Sequence, residues 1–247
     1  MSSPYRVRLD QLLVTRGLVE SRSKAKAAIE AGGVTVDGQP ARSPSQMFEE
    51  TVELTAVEAH RFVGRGALKL DHALTLWPIT VEGRVVLDVG ASTGGFTEVC
   101  LERGAAKVFA VDVGQGQMHE RIASRPRVVN LEQTDARTLT ADIITEPPGL
   151  IVCDVSFIGL AKALPAALDL AEPGADLVAL VKPQFEASGP EGHSKKGVVK
   201  DPAVRLAAVE GVTDWLTGAG WTVKATTESP ITGGDGNVEF LLWAVRG

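Results

Sequence analysis

Four charged side chains in this sequence each follow a short apolar run of the kind that forms a buried parallel strand. They are Asp88, Asp112, Asp154 and Lys182. In open α/β sheets, ligands bind beyond the carboxyl ends of the strands. One acid or lysine at a strand end is often merely solvated, but four in succession predict a binding or catalytic site along this edge.

The first of these strands leads into a glycine-rich turn, RVVLDVGASTGGFT, at residues 84–97. Glycines let the backbone approach a ligand closely, and the helix that follows offers unpaired N–H groups. Asp112 comes 22 residues after Gly90, near the spacing of about 20 at which a carboxylate binds ribose hydroxyls. The pattern predicts a nucleotide-like cofactor. The alternative is a turn needed for packing alone, with Asp112 solvated.

Two cofactors compete for this turn. A nicotinamide dinucleotide needs room for its pyrophosphate, which the pattern G-x-G-x-x-G provides. Here the glycines are spaced Gly90-x-x-x-Gly94-Gly95. S-adenosylmethionine has no pyrophosphate, so the missing middle glycine favours it.

Strand-like apolar runs alternate with helical periodicity through most of the chain. This order predicts an α/β fold with a doubly wound, mostly parallel, seven-stranded Rossmann-like sheet. The predicted strands lie at residues 85–88, 108–111, 128–129, 149–154, 177–181, 221–226 and 238–245. Helices are predicted from residue 65, over 159–170 and over 202–216.

The charge of the chain is unevenly distributed. Its 247 residues carry a net charge of −6, yet residues 1–30 hold six basic and three acidic side chains, a net of +3. Residues 71–247 hold 15 basic and 23 acidic side chains, a net of −8. This contrast favours a small module for a polyanion joined to a catalytic body, although scattered solvated charge would also produce it.

Composition also limits the cell compartment and the metal chemistry. The two cysteines, Cys100 and Cys153, lie in apolar segments, which is typical of a reduced protein without disulfides. The N-terminal residues form no apolar signal region, and no apolar run approaches about 18 residues. His193 has no neighbouring histidine or cysteine cluster. We therefore expect a cytoplasmic protein with no metal site.

The basic N-terminal segment has the pattern of a small α+β domain. Leucines at positions 9, 12 and 13 recur at helical spacing, Ser21 can cap a second helix, and Asp37-Gly38 predicts a hairpin turn. The segment RLDQLLVTRGLVESRSKAKAAIEAGGVTVDGQP resembles the RNA-binding domain named after ribosomal protein S-four. The resemblance implies binding of structured RNA, with contacts from Arg8, Arg22, Ser23, Lys24 and Lys26.

The rest of the chain resembles the TlyA family. The motifs that carry this resemblance are DVGASTGGFT, VDVGQGQ, DVSFI, VKPQFE and GNVEF, in that order. Members are ribosomal RNA 2′-O-methyltransferases with an FtsJ-like domain, and they were historically labelled haemolysins. The resemblance implies S-adenosylmethionine as methyl donor and a catalytic tetrad of Lys69, Asp154, Lys182 and Glu239. By its position in the sequence alone, Lys69 would be an ordinary exposed helical lysine.

The resemblance also implies roles for further residues. Asp112 would hold the donor's ribose, and Asp135 would lie near its adenine. The remaining donor-binding candidates are Asp88, Gly90, Ser92, Gly94, Gly95 and Phe96. Additional RNA contacts are expected from Arg65, Lys195 and Lys196, the last two within a basic loop at residues 187–200. Lys182 would bind or deprotonate the ribose 2′-oxygen, and the sequence leaves both roles open.

The expected organisation is an RNA-binding domain at residues 1–58, a linker at 59–64 and a methyltransferase domain at 65–247. In the linker, Phe62 stands where family members carry tryptophan, which leaves open whether the linker couples RNA binding to donor binding. The target is expected to be a cytidine in 16S RNA, 23S RNA or both. Three other functions compete: a pore-forming haemolysin, a non-catalytic ribosome-assembly protein and an NAD-dependent oxidoreductase.

Overall fold

The apolar runs that precede the charged strand ends form the centre of one sheet. The computed structural model describes residues 6–30, 32–56, 61–186, 198–233 and 235–247. The chain divides into two compact units between Arg65 and Gly66. The predicted linker ends close to this division.

The first unit is small and mixed. Its elements are β1 (Arg6–Arg8), α1 (Leu9–Thr15), α2 (Arg22–Glu30), β2 (Val34–Val36), β3 (Gln39–Pro40), β4 (Met47–Glu49) and β5 (Leu54–Ala56). The two helices pack their leucine, alanine and isoleucine side chains against short strands. Strand β2 pairs with β3 and β5, and β1 pairs with β4, all antiparallel.

The second unit contains a seven-stranded sheet with helices along the chain between its strands. Its helices are α3 (Ala67–Leu76), α4 (Gly95–Glu102), α5 (Glu120–Ala123), α6 (Leu160–Ala163), α7 (Pro165–Leu170), α8 (Pro183–Glu186) and α9 (Pro202–Gly218). Its strands are β6 (Val85–Val89), β7 (Lys107–Val111), β8 (Val128–Leu131), β9 (Leu150–Cys153), β10 (Asp176–Val181), β11 (Trp221–Glu228) and β12 (Phe240–Arg246).

The strand order is β11-β12-β10-β9-β6-β7-β8. Strands β6 to β10 pair in parallel, and β12 runs antiparallel to both of its neighbours. The chain order reverses between β6 and β9, so their carboxyl ends flank the topological switch point where ligands bind in such sheets. The predicted fold class, a mostly parallel α/β sheet of seven strands, is confirmed.

Some local predictions hold and others need correction. Asp37 and Gly38 both have positive φ, at 48° and 74°, as a tight hairpin turn requires. The helix predicted over residues 159–170 is instead two short helices, because Pro165 lacks an N–H and begins a new helix at its own position. The alternation Val52-Glu-Leu54 also predicts a strand, and the strand observed there begins two residues later, at Leu54–Ala56.

The core of the second unit is continuous across the sheet. Residues of the central strands such as Leu87, Ile151 and Leu177 are fully buried, and helix α9 contributes Leu216. None of the helices in the described ranges has the length and apolarity that crossing a bilayer requires. A rigid sheet of this kind holds the loops at its carboxyl edge in fixed positions.

Candidate active site

Two lysines and two carboxylates from distant parts of the sequence meet in the second unit. Lys69 lies in α3, Asp154 and Lys182 directly follow β9 and β10, and Glu239 directly precedes β12. The Lys69 amino nitrogen lies 2.6 Å from Glu239 Oε2 and 3.9 Å from Asp154 Oδ2. The Lys182 amino nitrogen lies 2.6 Å from Asp154 Oδ1. The structure therefore brings together the four residues that the family resemblance implies.

Three members of this cluster are almost entirely buried. Lys69 is 7% exposed, Lys182 6% and Glu239 3%. Buried ions are costly unless each is paired, because removal from water costs several kcal/mol per ion. The two cations and two anions of the cluster balance one another, and each lysine contacts a carboxylate. Asp154, the most exposed of the four, is shared between both lysines.

The glycine turn and the Asp154 segment touch each other. Gly90 has φ +85°, and a Cβ at this position would lie 2.8 Å from the Asp154 carbonyl oxygen. The Asp154 N–H donates to the Val89 carbonyl at 3.0 Å. A side chain at position 90 would displace the segment that carries Asp154, so glycine is required there.

A cavity of about 750 Å³ opens beside the cluster, at the carboxyl ends of β6, β7 and β9. Four predicted cofactor residues line it: Gly90, Ser92, Asp112 and Asp135. Asp154 also lines this cavity, so the cavity and the charged cluster share a residue. The other lining residues are Val89, Val111, Val113, Gln117, Thr134, Ala136, Arg137, Val155, Ser156, Phe157, Ile158, Lys162 and Ala163.

Asp112 connects two loops at the cavity wall. One carboxylate oxygen accepts from the Ser92 N–H at 2.8 Å, and the other accepts from the Gly114 N–H at 2.7 Å. Ser92 itself has a positive φ of 47°, a conformation that non-glycine residues seldom adopt. These two hydrogen bonds join the Ser92 turn to the Gly114 loop through the Asp112 carboxylate. They hold the carboxylate at the cavity wall, where it is predicted to bind ribose.

Asp135 also lines the cavity and is paired with Arg137. The Arg137 guanidinium and backbone N–H donate to its carboxylate, with the shortest contact at 2.6 Å. These hydrogen bonds lower the pKa of Asp135 to about 2. Its carboxylate is therefore ionised and held in one orientation at neutral pH.

The other four predicted cofactor residues do not line the cavity. Gly94 precedes α4 with φ +92°, Gly95 begins that helix, and Phe96 is buried. Asp88 is fully buried and accepts from Thr97 Oγ1 at 2.6 Å, so it links β6 to α4 rather than facing the cavity. The sequence placed Asp88 at the end of the strand, whereas β6 continues to Val89 and includes Asp88 within it.

Burial makes the Asp88 carboxyl group an unusually weak acid. Removal of the carboxylate from water raises the pKa of Asp88 to about 7, against the opposing effect of the Thr97 hydrogen bond. Its Oδ1 has no hydrogen-bond partner within the described ranges.

Sequence reasoning missed two residues at the cavity wall. Phe157 is 90% exposed and has a positive φ of 68°, and its ring centroid lies 5.3 Å from that of Phe185. An exposed aromatic ring beside a nucleotide-like site offers a stacking face for a base. Ser156 accepts a hydrogen bond from Lys182 Nζ at 2.8 Å. Their position in DVSFI, two and three residues after Asp154, was the signal that could have identified both.

In the first unit, Asp10 organises the predicted RNA-binding arginines. The buried Asp10 carboxylate accepts from Arg8 Nε at 3.0 Å and from Arg22 Nη2 at 2.8 Å. Burial alone would raise the pKa of Asp10, but the two guanidinium groups outweigh it and hold that pKa below its usual value. A cavity of about 460 Å³ lies beside them, lined also by Ser23, Lys26, Pro44 and Ser45.

Two further RNA-binding candidates lie next to carboxylates. Lys24 is 5% exposed, and its amino nitrogen lies 3.7 Å from Glu20. The helix turns this side chain inward, away from the exposed surface that a phosphate contact needs. Arg65 donates to Glu30 at 2.8 Å, which engages its guanidinium in an ion pair. Lys195, Lys196 and His193, with most of the predicted basic loop, lie outside the described residues.

Part of the predicted linker also lies outside the described residues. Phe62 is described and buried, and the Arg61 guanidinium carbon lies 4.7 Å from the centre of its ring. Within the described ranges, no three His, Cys, Asp or Glu side chains are grouped as metal ligands.

Comparisons with known proteins agree with this division of the chain. The model of the FtsJ-like methyltransferase family matches residues 62–246, and the S4 domain model matches residues 7–54. The 16S/23S rRNA (cytidine-2'-O)-methyltransferase TlyA of Mycobacterium tuberculosis is 48% identical over 240 residues, which cover 96% of this chain and 89% of the relative. The 23S rRNA (cytidine-2'-O)-methyltransferase TlyA of Campylobacter jejuni is 37% identical over 185 residues, 75% of this chain and 71% of the relative.

A solved structure extends the comparison to three dimensions. A Streptococcus thermophilus protein that carries the name haemolysin superposes with a TM-score of 0.78. It is 38% identical in sequence, and the match covers 99% of this chain and 90% of that one.

Proposed function

Because the chain belongs to the TlyA family of FtsJ-like methyltransferases, we propose that it methylates the 2′-hydroxyl of a cytidine in ribosomal RNA with S-adenosylmethionine as donor. The observation that carries this proposal is the shared position of Asp154. This residue belongs both to the buried Lys69–Asp154–Lys182–Glu239 cluster and to the wall of the cofactor-sized cavity. A group-transfer enzyme needs its donor and its acceptor-binding groups side by side.

The cavity fits the proposed donor. Its volume of about 750 Å³ lies within the range of roughly 300–1,000 Å³ for small-molecule sites. Gly90 allows close backbone approach, the Asp112 carboxylate can accept from ribose hydroxyls, and Asp135 offers an ionised acceptor on the adenine side. The family match favours S-adenosylmethionine over a nicotinamide dinucleotide, as the glycine spacing does.

When bound, S-adenosylmethionine supplies an electrophilic methyl group on a sulfonium. The chain's own contribution is to hold the ribose hydroxyl in line with the methyl–sulfur bond, since positioning accounts for much of the acceleration in such reactions. We propose that the amino group of Lys182 is the group that contacts this hydroxyl. Asp154 fixes that amino group, while Glu239 and Asp154 balance the buried charge of Lys69.

Lys182 has two candidate roles. As a base it would take the hydroxyl proton when the oxygen–methyl bond forms; as an anchor it would hold the oxygen while the proton leaves to solvent. Arginine keeps a positive charge and does not act as a base in proteins. A Lys182→Arg variant that retains part of the activity supports the anchor, and one as inactive as Lys182→Ala supports the base.

The RNA would contact both units. Phe157 offers an exposed ring on which the target base can stack, and the Asp10-oriented arginines of the first unit offer donors for backbone phosphates. One relative is named for both 16S and 23S RNA and the other for 23S alone, so we propose ribosomal subunits as the substrate and leave both RNAs as candidates. This substrate implies a cytoplasmic location.

The test is transfer of labelled methyl groups to ribosomal subunits from cells that lack this gene. We expect transfer by the wild-type chain and none by Lys182→Ala, with S-adenosylmethionine binding unchanged in the variant. Full transfer by Lys182→Ala would contradict the proposed role of the cluster. Absence of transfer by the wild-type chain would contradict the proposed function itself.

A further inference from the structure

We propose that the hydroxyl of Ser156 is a positioning group for Lys182, which it directs toward the substrate hydroxyl. This inference rests on the proposed function. Lys182 Nζ donates to Ser156 Oγ at 2.8 Å and lies 2.6 Å from Asp154 Oδ1. The two contacts come from residues two positions apart on the same loop, between β9 and α6.

A lysine amino group has only three hydrogen-bonding positions, so two contacts strongly restrict its orientation. An ammonium has three N–H donors, and a neutral amine has two donors and one lone pair. Ser156 occupies one of these positions through its hydrogen bond, and Asp154 Oδ1 lies 2.6 Å from the nitrogen on a second side, in an ion pair. In either protonation state a donor or a lone pair is left for the ribose oxygen, so Ser156 acts whether Lys182 is a base or an anchor.

Asp154 alone would leave this direction undefined. A flexible side chain with one partner can swing about that contact, whereas two partners fix the position of its terminal atom. Lys182 as a whole is 6% exposed, and its amino nitrogen contacts two residues that line the cavity, Asp154 and Ser156. The movement that Ser156 restricts is that of the amino group beside these two residues.

Ser156 is also placed where substrate must arrive. It is exposed and lines the cavity, and the next residue, Phe157, is held at positive φ with its ring exposed. Strained conformations of this kind persist where the surrounding structure enforces them, often at functional sites. The loop thus presents a carboxylate, a hydroxyl and an aromatic ring to one cavity.

A competing explanation is that the Ser156 hydroxyl occupies the place of the substrate hydroxyl and leaves when RNA binds. The two explanations predict opposite results for Ser156→Ala. If the Ser156 hydroxyl positions Lys182, its removal lowers kcat. A placeholder competes with substrate, so its removal leaves kcat unchanged or improves KM.

The experiment compares full-length wild type, Ser156→Ala and Ser156→Thr in methyl transfer to unmodified ribosomal subunits. We expect Ser156→Ala to lower kcat by about tenfold, as loss of one orienting hydrogen bond would. KM for subunits and the affinity for S-adenosylmethionine, measured by calorimetry, should stay within twofold of wild type, roughly the noise of such comparisons. Ser156→Thr keeps the hydroxyl and should restore most of the rate. Ser124→Ala, at an exposed serine, is the matched control.

Several outcomes would overturn the inference while wild-type transfer upholds the proposed function. These are an unchanged or faster Ser156→Ala, a loss that appears in donor affinity or in KM instead of kcat, or a Ser156→Thr variant as slow as Ser156→Ala. If the wild-type chain transfers no methyl group, the proposed function fails first and this inference falls with it.

Discussion

The amino nitrogen of Lys69 lies 2.6 Å from Glu239 Oε2, although 170 positions separate the two residues in the chain. Both side chains are buried, so each is the main compensation for the other's charge. Because Glu239 neutralises Lys69, Asp154 remains available to fix Lys182. The pair therefore supports the geometry of the site without itself facing the cavity.

This arrangement makes Gly233 a sensitive position. A Cβ at Gly233 would lie 2.5 Å from Glu239 Oε1 and 3.1 Å from its Cδ. Since Glu239 is buried and held by Lys69, Gly233→Ala should displace the carboxylate and lower kcat by about a hundredfold, as a misplacement of about 1 Å can. The measurement is methyl transfer to ribosomal subunits.

The control is Gly211→Ala in α9, where a Cβ meets nothing within 4 Å. It should leave the rate unchanged and stabilise the helix slightly. Equal rates for Gly233→Ala and Gly211→Ala would show that the position of Glu239 does not matter for the reaction.

Asp112 should govern donor affinity. Its two oxygens accept from the Ser92 and Gly114 N–H groups, so Asp112→Ala removes both bonds and any contact with the donor's ribose. We expect the Kd for S-adenosylmethionine to rise roughly ten- to a hundredfold, with Asp112→Asn intermediate because its amide keeps one acceptor. Calorimetry measures this, with the exposed Asp142→Ala as control. An unchanged Kd in Asp112→Ala would exclude the assignment.

Asp88 should make stability depend on pH. Its pKa is raised by burial to about 7, above the value of about 3.9 in an unfolded chain. The folded state thus favours the protonated form, so this contribution to stability is full below about pH 4 and is lost as pH rises toward 7. Between pH 5 and pH 8, wild type should lose up to about 2–3 kcal/mol of unfolding free energy relative to Asp88→Asn.

Urea unfolding of both proteins at several pH values measures this difference. Asparagine keeps an acceptor for Thr97 but carries no charge, so it isolates the titration. Parallel stability curves for the two proteins would show that Asp88 does not titrate in this range.

The substitution Asp10→Asn should weaken specific binding of ribosomal subunits without weakening non-specific binding of RNA. Asp10→Asn removes a negative charge, so attraction to any RNA should not weaken, but it also releases the orientation of Arg8 and Arg22. We expect KM for ribosomal subunits to rise several-fold while affinity for an unrelated RNA is unchanged or higher. Asp37→Asn makes the same change in the turn of the same unit. A parallel fall in both affinities would point to a folding defect.

Local sequence patterns predicted the fold better than the site. The apolar runs, the glycine turn and the Asp37-Gly38 hairpin are short-range features, and each appears where its residue types require. Lys69 carries no such signal, because its partner Glu239 is far away in sequence. Its predicted role came from family resemblance, and the catalytic role of the cluster stays a prediction.

Side-chain orientation explains the remaining differences. Lys24 was grouped with the RNA-binding residues by family resemblance, but its place on α2 buries it beside Glu20. Asp88 was grouped with the cofactor residues, but it lies within β6 rather than beyond it. Asp10 was counted as an opposing charge, yet it orients two arginines. Composition and spacing do not report which way such side chains point.

The central claim is that the methyl group goes to a ribose oxygen. The most direct measurement is mass spectrometry of nucleosides from unmodified ribosomal subunits treated with the wild-type chain and S-adenosylmethionine. We predict 2′-O-methylcytidine, absent after treatment with Lys182→Ala. A methyl group on the cytosine base, or on no nucleoside at all, would contradict the account.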